Sequence, residues 1–361
     1  MAYTTIDDPS AYFHTQLYTG NNNTTQSITN NANSGDFQAD WLWIKNRDNI
    51  EKHHLMDSSR GANKFLHSNE TAVERTGSHA SGHNDINSFS SNGFTITSNG
   101  SNDELNFGTR LYVAWQWKAN GGSRTTFTES GNNPAGGYQA NATAGFSIID
   151  YTGTGATGTV AHGLGKTPQV AIIKDRGNTE HWIYATTTVD GSNDALYLET
   201  TGAKFDSNSD IDVTFTSSNV QLANNWVDVN GDARNYIAYV FAPIQGYSKF
   251  GSYTGNGNAD GPFVYTGFKP AWLMIKKTNN TSQWVIHDTT RQEFNMQTRF
   301  LQANQPAAES TSSAADLDIL SNGFKLRSTD DAQNGNGETF IYMAFAESPF
   351  VSSEGVPTTA R

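Results

Sequence analysis

The sequence contains no cysteine, which excludes disulfide bonds and thiolate metal sites. It has no run of about 18 apolar residues, the length that a membrane-spanning helix needs, so no membrane insertion is expected. The opening MAYTTIDDPSAYF lacks the basic start and apolar core of a secretory signal. Basic residues are also few, 23 against 35 acidic ones. Because non-specific nucleic-acid binding depends on Lys and Arg, no nucleic-acid partner is expected.

Charged residues make up only 16% of the chain, whereas aromatic residues reach 12% and glycine occurs 33 times. Helices favour Ala, Leu, Glu and Lys, and no window shows sustained helical periodicity. Many aromatic and small polar residues are typical of short strands joined by turns. The composition therefore predicts an all-β protein.

Three related phrases divide the chain. Each begins with Tyr-Thr-Gly, at Tyr18, Tyr151 and Tyr253, and leads to an apolar run that ends in Ile-Lys: WLWIK, QVAIIK and AWLMIK. Apolar residues occupy successive positions in these runs, which indicates strands that are covered on both faces. Repeats of this kind predict one structural unit used three times.

Three further landmarks recur in each copy. Asp57-Ser-Ser-Arg60 matches Asp288-Thr-Thr-Arg291, and the segment Ala185–Thr188 is aligned with them in the second copy. The phrase SNGF, in the first and third copies, predicts a hairpin at Asn-Gly. A Tyr-x-Ala-aromatic strand closes each copy. These closing strands begin at Tyr112, Tyr236 and Tyr342.

The landmarks predict three tandem β-sandwich modules of jelly-roll-like type with extended terminal arms. A Gly/Ser/Asn-rich linker is expected to make the first junction looser than the second. The predicted segments are an N-terminal arm (1–17), module 1 (18–118), the linker (119–145), module 2 (146–245), module 3 (246–350) and a C-terminal tail (351–361).

The phrases SKFGSYTGNG, FVYTGFKPAWLMIK, WVIHDTTR and SNGF together resemble a repeat module of virion proteins from tailed phages, especially marine and cyanobacterial ones. MAYTTIDDPSAYF and YVAWQWKANGG resemble the same family, so the resemblance spans nearly the whole chain. It implies a structural or tail-fibre-like particle component, and it brings no catalytic signature.

The repeated acid-base pairs Asp57/Arg60 and Asp288/Arg291 have two interpretations. Asp can accept hydrogen bonds from the following backbone amides while Arg pairs across the turn, which would make the pair structural. The alternative is a ligand-binding or inter-subunit salt bridge. The same position in two copies favours the structural interpretation.

Two metal-binding hypotheses arise. Asp228, Asn230 and Asp232 have the spacing that begins a calcium loop, although an ordinary turn has the same sequence. Calcium is the one cofactor considered. The histidines that fall close together in the first copy are interpreted as exposed loop residues, with zinc binding as the alternative. These histidines are His53, His54, His67, His79 and His83.

The tryptophans inside repeating strands are expected in the core. Trp182 and Trp226 lie nearer to loops and are the candidate ligand-binding residues, because aromatic rings stack on the apolar faces of sugars. We also expect recognition to lie where the copies differ, as at the longer first-copy loop, the histidine-rich insertion and Ala185–Thr188.

The sequence thus predicts a non-enzymatic structural protein on the outside of a tailed-phage virion, assembled in the host cytoplasm. A tail fibre, spike or other appendage for host attachment is favoured, followed by a capsid-decorating protein. The expected partners are other virion proteins, a host-surface glycan and further copies of the chain, with a trimer favoured by analogy with appendages. The alternatives are a polysaccharide depolymerase, which needs paired carboxylates in a groove, and a carbohydrate-binding module.

Overall fold

A computed structural model describes residues 2–31, 37–77, 85–97, 104–206 and 212–359. Antiparallel strands dominate these residues, which confirms the all-β prediction. The α-helical segments described are single turns, α1 (Val227–Asn230) and α2 (Asp331–Asn334), and 3-10 turns occur at Pro9–Ala11 and Ser313–Ala315.

The strands fall into three consecutive groups, which we call the first, second and third lobes. The first lobe contains β1 (Phe13–Thr19), β2 (Thr25–Thr29), β3 (Trp41–Asn46), β4 (His54–Asp57), β5 (Lys64–Phe65), β6 (Arg75–Thr76), β7 (Asp85–Ser90), β8 (Gly93–Thr97) and β9 (Leu111–Trp117). The second contains β10 (Thr125–Phe127), β11 (Ala135–Asn141), β12 (Phe146–Thr152), β13 (Gly158–Ala161), β14 (Val170–Asp175), β15 (Trp182–Thr186), β16 (Asp194–Tyr197), β17 (Phe205–Asp206), β18 (Thr214–Phe215), β19 (Asn219–Leu222) and β20 (Asn235–Phe241). The third contains β21 (Ser248–Thr254), β22 (Phe263–Tyr265), β23 (Phe268–Lys277), β24 (Val285–Asp288), β25 (Arg299–Gln302), β26 (Ser310–Thr311), β27 (Leu317–Leu320), β28 (Gly323–Leu326) and β29 (Thr339–Pro349).

Each lobe pairs a large sheet with a small one. The large sheets have the strand orders β1-β9-β3-β4, β10-β11-β12-β20-β14-β15-β16-β17 and β21-β29-β23-β24-β25-β26. The small sheets have the orders β2-β8-β7, β13-β19-β18 and β22-β28-β27. A separate hydrophobic cluster fills the space between the two sheets of each lobe, so that each lobe is a β-sandwich.

The outer faces of the three large sheets share one further core. Trp41, Trp43, Trp115 and Trp117 of the first lobe pack there with Tyr239 of the second. The third lobe adds Trp272, Trp284 and Phe345. Both faces of the central strands β3, β14 and β23 are therefore buried, which explains the uninterrupted apolar runs WLWIK, VAIIK and AWLMIK.

The lobes have matching strand registers. The tyrosine of each Tyr-Thr-Gly phrase lies opposite an aromatic residue and stacks on it with ring centroids about 5 Å apart. These pairs are Tyr18–Tyr112, Tyr151–Tyr236 and Tyr253–Phe340. In the third closing strand, Phe340 is therefore the counterpart of Tyr112 and Tyr236. The predicted counterpart, Tyr342, is wrong by two positions.

A second landmark also shifts. Asp57 lies opposite Trp41 and Asp288 opposite Trp272, whereas the matching position of the second lobe is Thr186, opposite Val170. The counterparts of the Asp-x-x-Arg segments are thus Thr186–Val189 and not Ala185–Thr188. Burial of both sheet faces removes the polar alternation that would have fixed the register from the sequence.

The SNGF hairpins are confirmed at β7–β8 and β27–β28. Gly93 begins the second strand with φ +119°, and a Cβ atom there would lie 2.1 Å from the carbonyl oxygen of Ile28, so glycine is required. The Asn-Gly phrase Asn334–Gly337 has a different role, because Asn334 ends the helical turn α2 and the phrase leads into β29.

The expected linker and arms are parts of the folded body. Residues 119–145 contain β10 and β11, and Asp40 accepts hydrogen bonds from the backbone of Ala119 and of Gly121, which anchors the segment to the first lobe. Residues 1–17 include most of β1 and the buried Ile6. Asp7 accepts hydrogen bonds from Ser353, so the two terminal segments meet.

Candidate functional site

The pair Asp57/Arg60 is fully buried where the first lobe meets the second. The backbone N–H of Arg60 donates to Asp57 Oδ1 at 2.8 Å, which is the predicted turn interaction, and the guanidinium pairs with the same carboxylate. Tyr239 of the second lobe donates its hydroxyl hydrogen to Asp57 Oδ2 at 2.8 Å. The pair therefore closes a turn and also binds two lobes together.

The matching pair Asp288/Arg291 lies where the third lobe meets the first. The backbone N–H of Arg291 donates to Asp288 Oδ1 at 2.8 Å, and the indole N–H of Trp115 donates to Asp288 Oδ2 at 3.0 Å. Trp115 and Tyr239 occupy matching positions in β9 and β20. Trp115 lies opposite Trp43, the third residue of β3, and Tyr239 lies opposite Ile172, the third residue of β14. Two different donors thus serve the same role.

A second ion pair supports each of these contacts. Glu74 accepts two hydrogen bonds from Arg176 at 2.9 Å, and Glu309 accepts two from Arg47 at 2.8 and 3.0 Å. Burial acts to raise the pKa of Glu74, but hydrogen bonds from Arg176 and the charge of Arg60 hold that pKa below its ordinary value. Both carboxylates therefore remain charged inside the interfaces.

The contact between the second and third lobes lacks this network. Thr186 and Val189 replace the Asp and Arg, and Met343 stands at the position of Trp115 and Tyr239. The backbone contact is nevertheless the same: one lobe donates an N–H to a carbonyl of the next at each junction. These bonds are Glu74 to Arg176 at 2.8 Å, Lys204 to Thr278 at 2.6 Å and Glu309 to Arg47 at 2.8 Å.

The three lobes thus close a ring, in which each contacts both of the others. A further set of contacts links the same three pairs of lobes in the opposite direction. In each, a ring N–H at a matching position donates to a carbonyl of the preceding lobe. These contacts are His53 to Gln302 at 3.0 Å, Trp182 to His67 at 2.8 Å and Trp284 to Tyr197 at 3.2 Å. The acid-base pairs and these rings are accordingly parts of the interfaces.

The candidate ligand-binding tryptophans are buried. Trp182 is completely enclosed in the common core, and Trp226 is 8% exposed with its indole N–H on Asp228 Oδ2 at 2.8 Å. Neither ring offers an open face for a sugar, so this prediction is wrong. The residues that precede Trp182 are polar and suggested a loop, but Trp182 is the first residue of the buried strand β15.

Two of the three residues in the calcium hypothesis are engaged in hydrogen bonds within the fold, and the third, Asp232, is exposed in the turn that follows α1. Asp228 accepts hydrogen bonds from the backbone of His181 and the indole of Trp226, and Asn230 bonds to the backbone of Thr154, Ala156 and Ala223. These side-chain hydrogen bonds, accepted by Asp228 and both accepted and donated by Asn230, hold the helical turn α1 in place. In the described residues, no group of three or more His, Asp or Glu side chains is arranged to hold a metal.

His53, His54 and His67 are buried, contrary to the expectation of exposed loop residues. His53 Nδ1 accepts from the indole N–H of Trp43 at 2.8 Å, so the other ring nitrogen carries the hydrogen. Burial, together with the charge of Lys45, holds the pKa of His53 well below its ordinary range. His79 and His83 lie outside the described residues.

Each central strand also buries a lysine. Burial lowers the pKa of Lys45 and of Lys276 to about 7, and that of Lys174 to about 8. Each Nζ donates to two backbone carbonyls, for example those of Asn46 at 2.6 Å and Asn49 at 3.2 Å for Lys45. These carbonyls replace part of the hydration that each buried Nζ has lost.

One surface groove has features that the repeat does not require. It has a volume of about 470 Å³ and lies between the second and third lobes, next to the N-terminal segment. Tyr265, 46% exposed, forms one wall, and Lys249 Nζ lies 5.0 Å from the centre of its ring. Tyr3 fixes this ring through a 3.1 Å contact between the two hydroxyls. We call this the Tyr265 groove.

The aromatic residues at this groove are specific to the third lobe. Phe263 and Tyr265 point outward from β22 and flank the buried Val264. The matching outward residues are Ser27 and Thr29 in β2, and Thr159 and Ala161 in β13, as the pairings of Ile28 and Val160 show. Lys249 likewise corresponds to His14 and Ser147. These differences between the lobes become visible only when the strand registers of all three lobes are known.

Fold and sites together define an all-β protein whose three sandwiches share one aromatic core. The chain belongs to a domain family of unknown function, DUF7483, whose model matches residues 8–349. No curated protein and no solved structure matches the chain significantly. In the described part of the chain, no helix is long and apolar enough to span a bilayer.

Proposed function

We propose that the protein is a non-enzymatic structural component on the exterior of a tailed-phage virion. A tail fibre, spike or other attachment appendage is favoured, and capsid decoration is the second placement. The proposal starts from the resemblance of the YTG, IHDTTR and SNGF phrases to virion repeat modules. It includes the finer fold assignment, in which the lobes are three copies of one jelly-roll-like module.

The observation that carries the structural role is the core shared by all three lobes. Ion pairs and indole or phenol hydrogen bonds are buried at two junctions, and the segment between the first two lobes is itself part of a sheet. The segments that join consecutive lobes, all of them described by the structure, are therefore folded parts of the body and not flexible linkers. Rigidity suits a load-transmitting block in a particle.

Immunogold labelling of purified particles tests this proposal. Antibody raised against the full chain is expected to label intact virions, at the tail for an appendage or over the head for a decorating protein. Particles of a phage that lacks the gene serve as the control. Absence of the chain from purified virions, measured by mass spectrometry as well, would overturn the proposal.

The depolymerase alternative can be tested at a cavity that carboxylates line. A cavity of about 220 Å³ is lined by Asp8, Glu347 and His14, among others. Asp8 accepts hydrogen bonds from the backbone and hydroxyl of Ser10, and Glu347 pairs with Lys269 at 3.0 Å. Both carboxylates therefore already have partners within the protein. Loss of capsule viscosity on incubation with the protein, abolished by Glu347→Gln, would favour the enzyme.

A further inference from the structure

The Tyr265 groove combines an exposed ring with unpaired hydrogen-bonding groups. Gln169 and Gln245 are among its lining residues, and their side-chain amides have no hydrogen-bond partner among the described residues. Each amide offers both donors and an acceptor, as a hydroxyl-rich ligand requires. Its volume of about 470 Å³ falls within the range of small-molecule sites.

The charge of the groove opposes that of the whole chain. The net charge is −12, yet the residues that line the groove include one cation, Lys249, and no carboxylate. Within the described residues, no Asp or Glu lies within ion-pairing distance of Lys249. Its Nζ donates to the carbonyl of Tyr265 at 2.7 Å, which leaves further N–H groups of the ammonium for a ligand.

We propose that the Tyr265 groove binds an oligosaccharide that carries a carboxylate. The apolar face of a sugar ring would lie on Tyr265, its hydroxyls would bond to the two glutamines, and its carboxylate would pair with Lys249. Phe263 extends the aromatic surface two residues along the same face of β22. The identity of this ligand rests on the proposed function, in which the protein contacts a host surface.

A peptide strand suits the groove less well. Addition of a strand to the free edge of β22 would use the carbonyl of Tyr265, and that carbonyl already accepts from Lys249. The unpaired amides of Gln169 and Gln245 each offer donors and an acceptor, which the hydroxyls of a sugar can satisfy. The observations therefore favour a sugar.

Calorimetric titration of the full chain with trigalacturonate and with trigalactose tests the proposal. We expect trigalacturonate to bind more tightly, with an affinity that falls as salt rises because exposed charges are screened. Tyr265→Thr and Lys249→Ser give the groove the residues of the other lobes. Tyr265→Thr should weaken both sugars about tenfold, and Lys249→Ser should remove the preference for the acidic one.

Phe294→Ser is the matched control, because Phe294 is an exposed aromatic residue outside the groove. It should leave binding unchanged. The proposal would be overturned if the two sugars bound equally, or if Tyr265→Thr bound them as the parent does. Binding of an acetylated Asp-Gly-Asp-Gly peptide but of neither sugar would also overturn it. Virions that label with antibody while the sugars fail to bind would overturn this inference and leave the structural role standing.

Discussion

At the scale of single residues, the interfaces match donors to acceptors. Asp57 faces the hydroxyl of Tyr239 and Asp288 faces the indole of Trp115, whereas Thr186 occurs where the next lobe supplies Met343, which has no hydrogen to donate. A buried carboxylate without its donors would be costly, so the acid, the base and the donor are lost together.

Replacing Asp57 by Asn should remove the nearer of the two carboxylates that pair with the buried Arg60, and leave only Glu74, at 3.2 Å from its Nη1. We expect the free energy of unfolding, measured by urea denaturation, to fall by about 3–5 kcal/mol. The matched control is the triple change Asp57→Thr, Arg60→Val and Tyr239→Met, which copies the junction between the second and third lobes. It should be clearly less destabilising than Asp57→Asn, and an equal loss would contradict the interpretation.

The buried lysines predict a rise in stability from about pH 7 to about pH 10. Their pKa values in the folded chain are about 7 for Lys45 and Lys276 and about 8 for Lys174, so in this range the unfolded chain binds more protons. Raising the pH therefore favours the folded state. Above about pH 10 the trend should reverse, because burial raises the pKa of Tyr184 and other tyrosines.

Lys45→Met should make this rise shallower, because one of the depressed pKa values is removed. Lys52→Met is the control, since Lys52 is partly exposed and pairs with Glu70. Chemical denaturation at a series of pH values measures both variants. A stability profile of Lys45→Met that is parallel to that of the parent between pH 7 and pH 10 would show that Lys45 stays charged when folded.

At the scale of the elements, the central strands are buried on both faces. Trp272 in β23 is 1% exposed and lies within 5.7–6.2 Å of the rings of Trp115, Trp117 and Phe345. Its side chain joins the third lobe to the first. The strands WLWIK, VAIIK and AWLMIK are therefore the elements on which assembly of the lobes depends.

Trp272→Ala should lower the free energy of unfolding by about 3–5 kcal/mol, as a large truncation in a packed core. Phe294→Ala, at an exposed site, should change it by no more than about 0.5 kcal/mol. Thermal or urea unfolding of both variants measures the difference. Parent-like melting of Trp272→Ala would show that the common core does not depend on this ring.

These elements also show what could be read from the sequence. The apolar run AWLMIK and the SNGF turn predicted strands and hairpins, because local chemistry specifies both. The register of the third closing strand could not be predicted, because burial of both faces hides the alternation. The Tyr265 groove was missed for a different reason: Phe263 stands out only once the strand pairings show that Ser27 is its counterpart.

At the scale of the whole molecule, one core joins all three lobes. The large sheet of each isolated lobe would expose a wide apolar face, which soluble monomers rarely tolerate. The sequence suggested modules strung along a linker, because nothing in a local pattern states which outer faces pack together. The expectation of a homotrimer stays a prediction, and sedimentation equilibrium of the full chain measures it.

The chain should unfold in one cooperative transition. Differential scanning calorimetry is expected to give equal calorimetric and van't Hoff enthalpies, since the unfolding of one lobe uncovers the parts of the common core that the other two contribute. A fragment of residues 146–245 should lack fixed tertiary structure by near-UV circular dichroism. Separate transitions, or a fragment that melts cooperatively, would show that the lobes are independent.

The ring has a consequence for how such a protein changes over generations. In a homotrimer of a single module, every substitution occurs in all three subunits. A chain that contains all three copies carries each substitution once, so one junction can exchange an ion pair for Thr186 and Val189 while the others keep theirs. The same freedom lets Phe263, Tyr265 and Lys249 appear in one copy alone, so that a three-fold frame presents a single, asymmetric face.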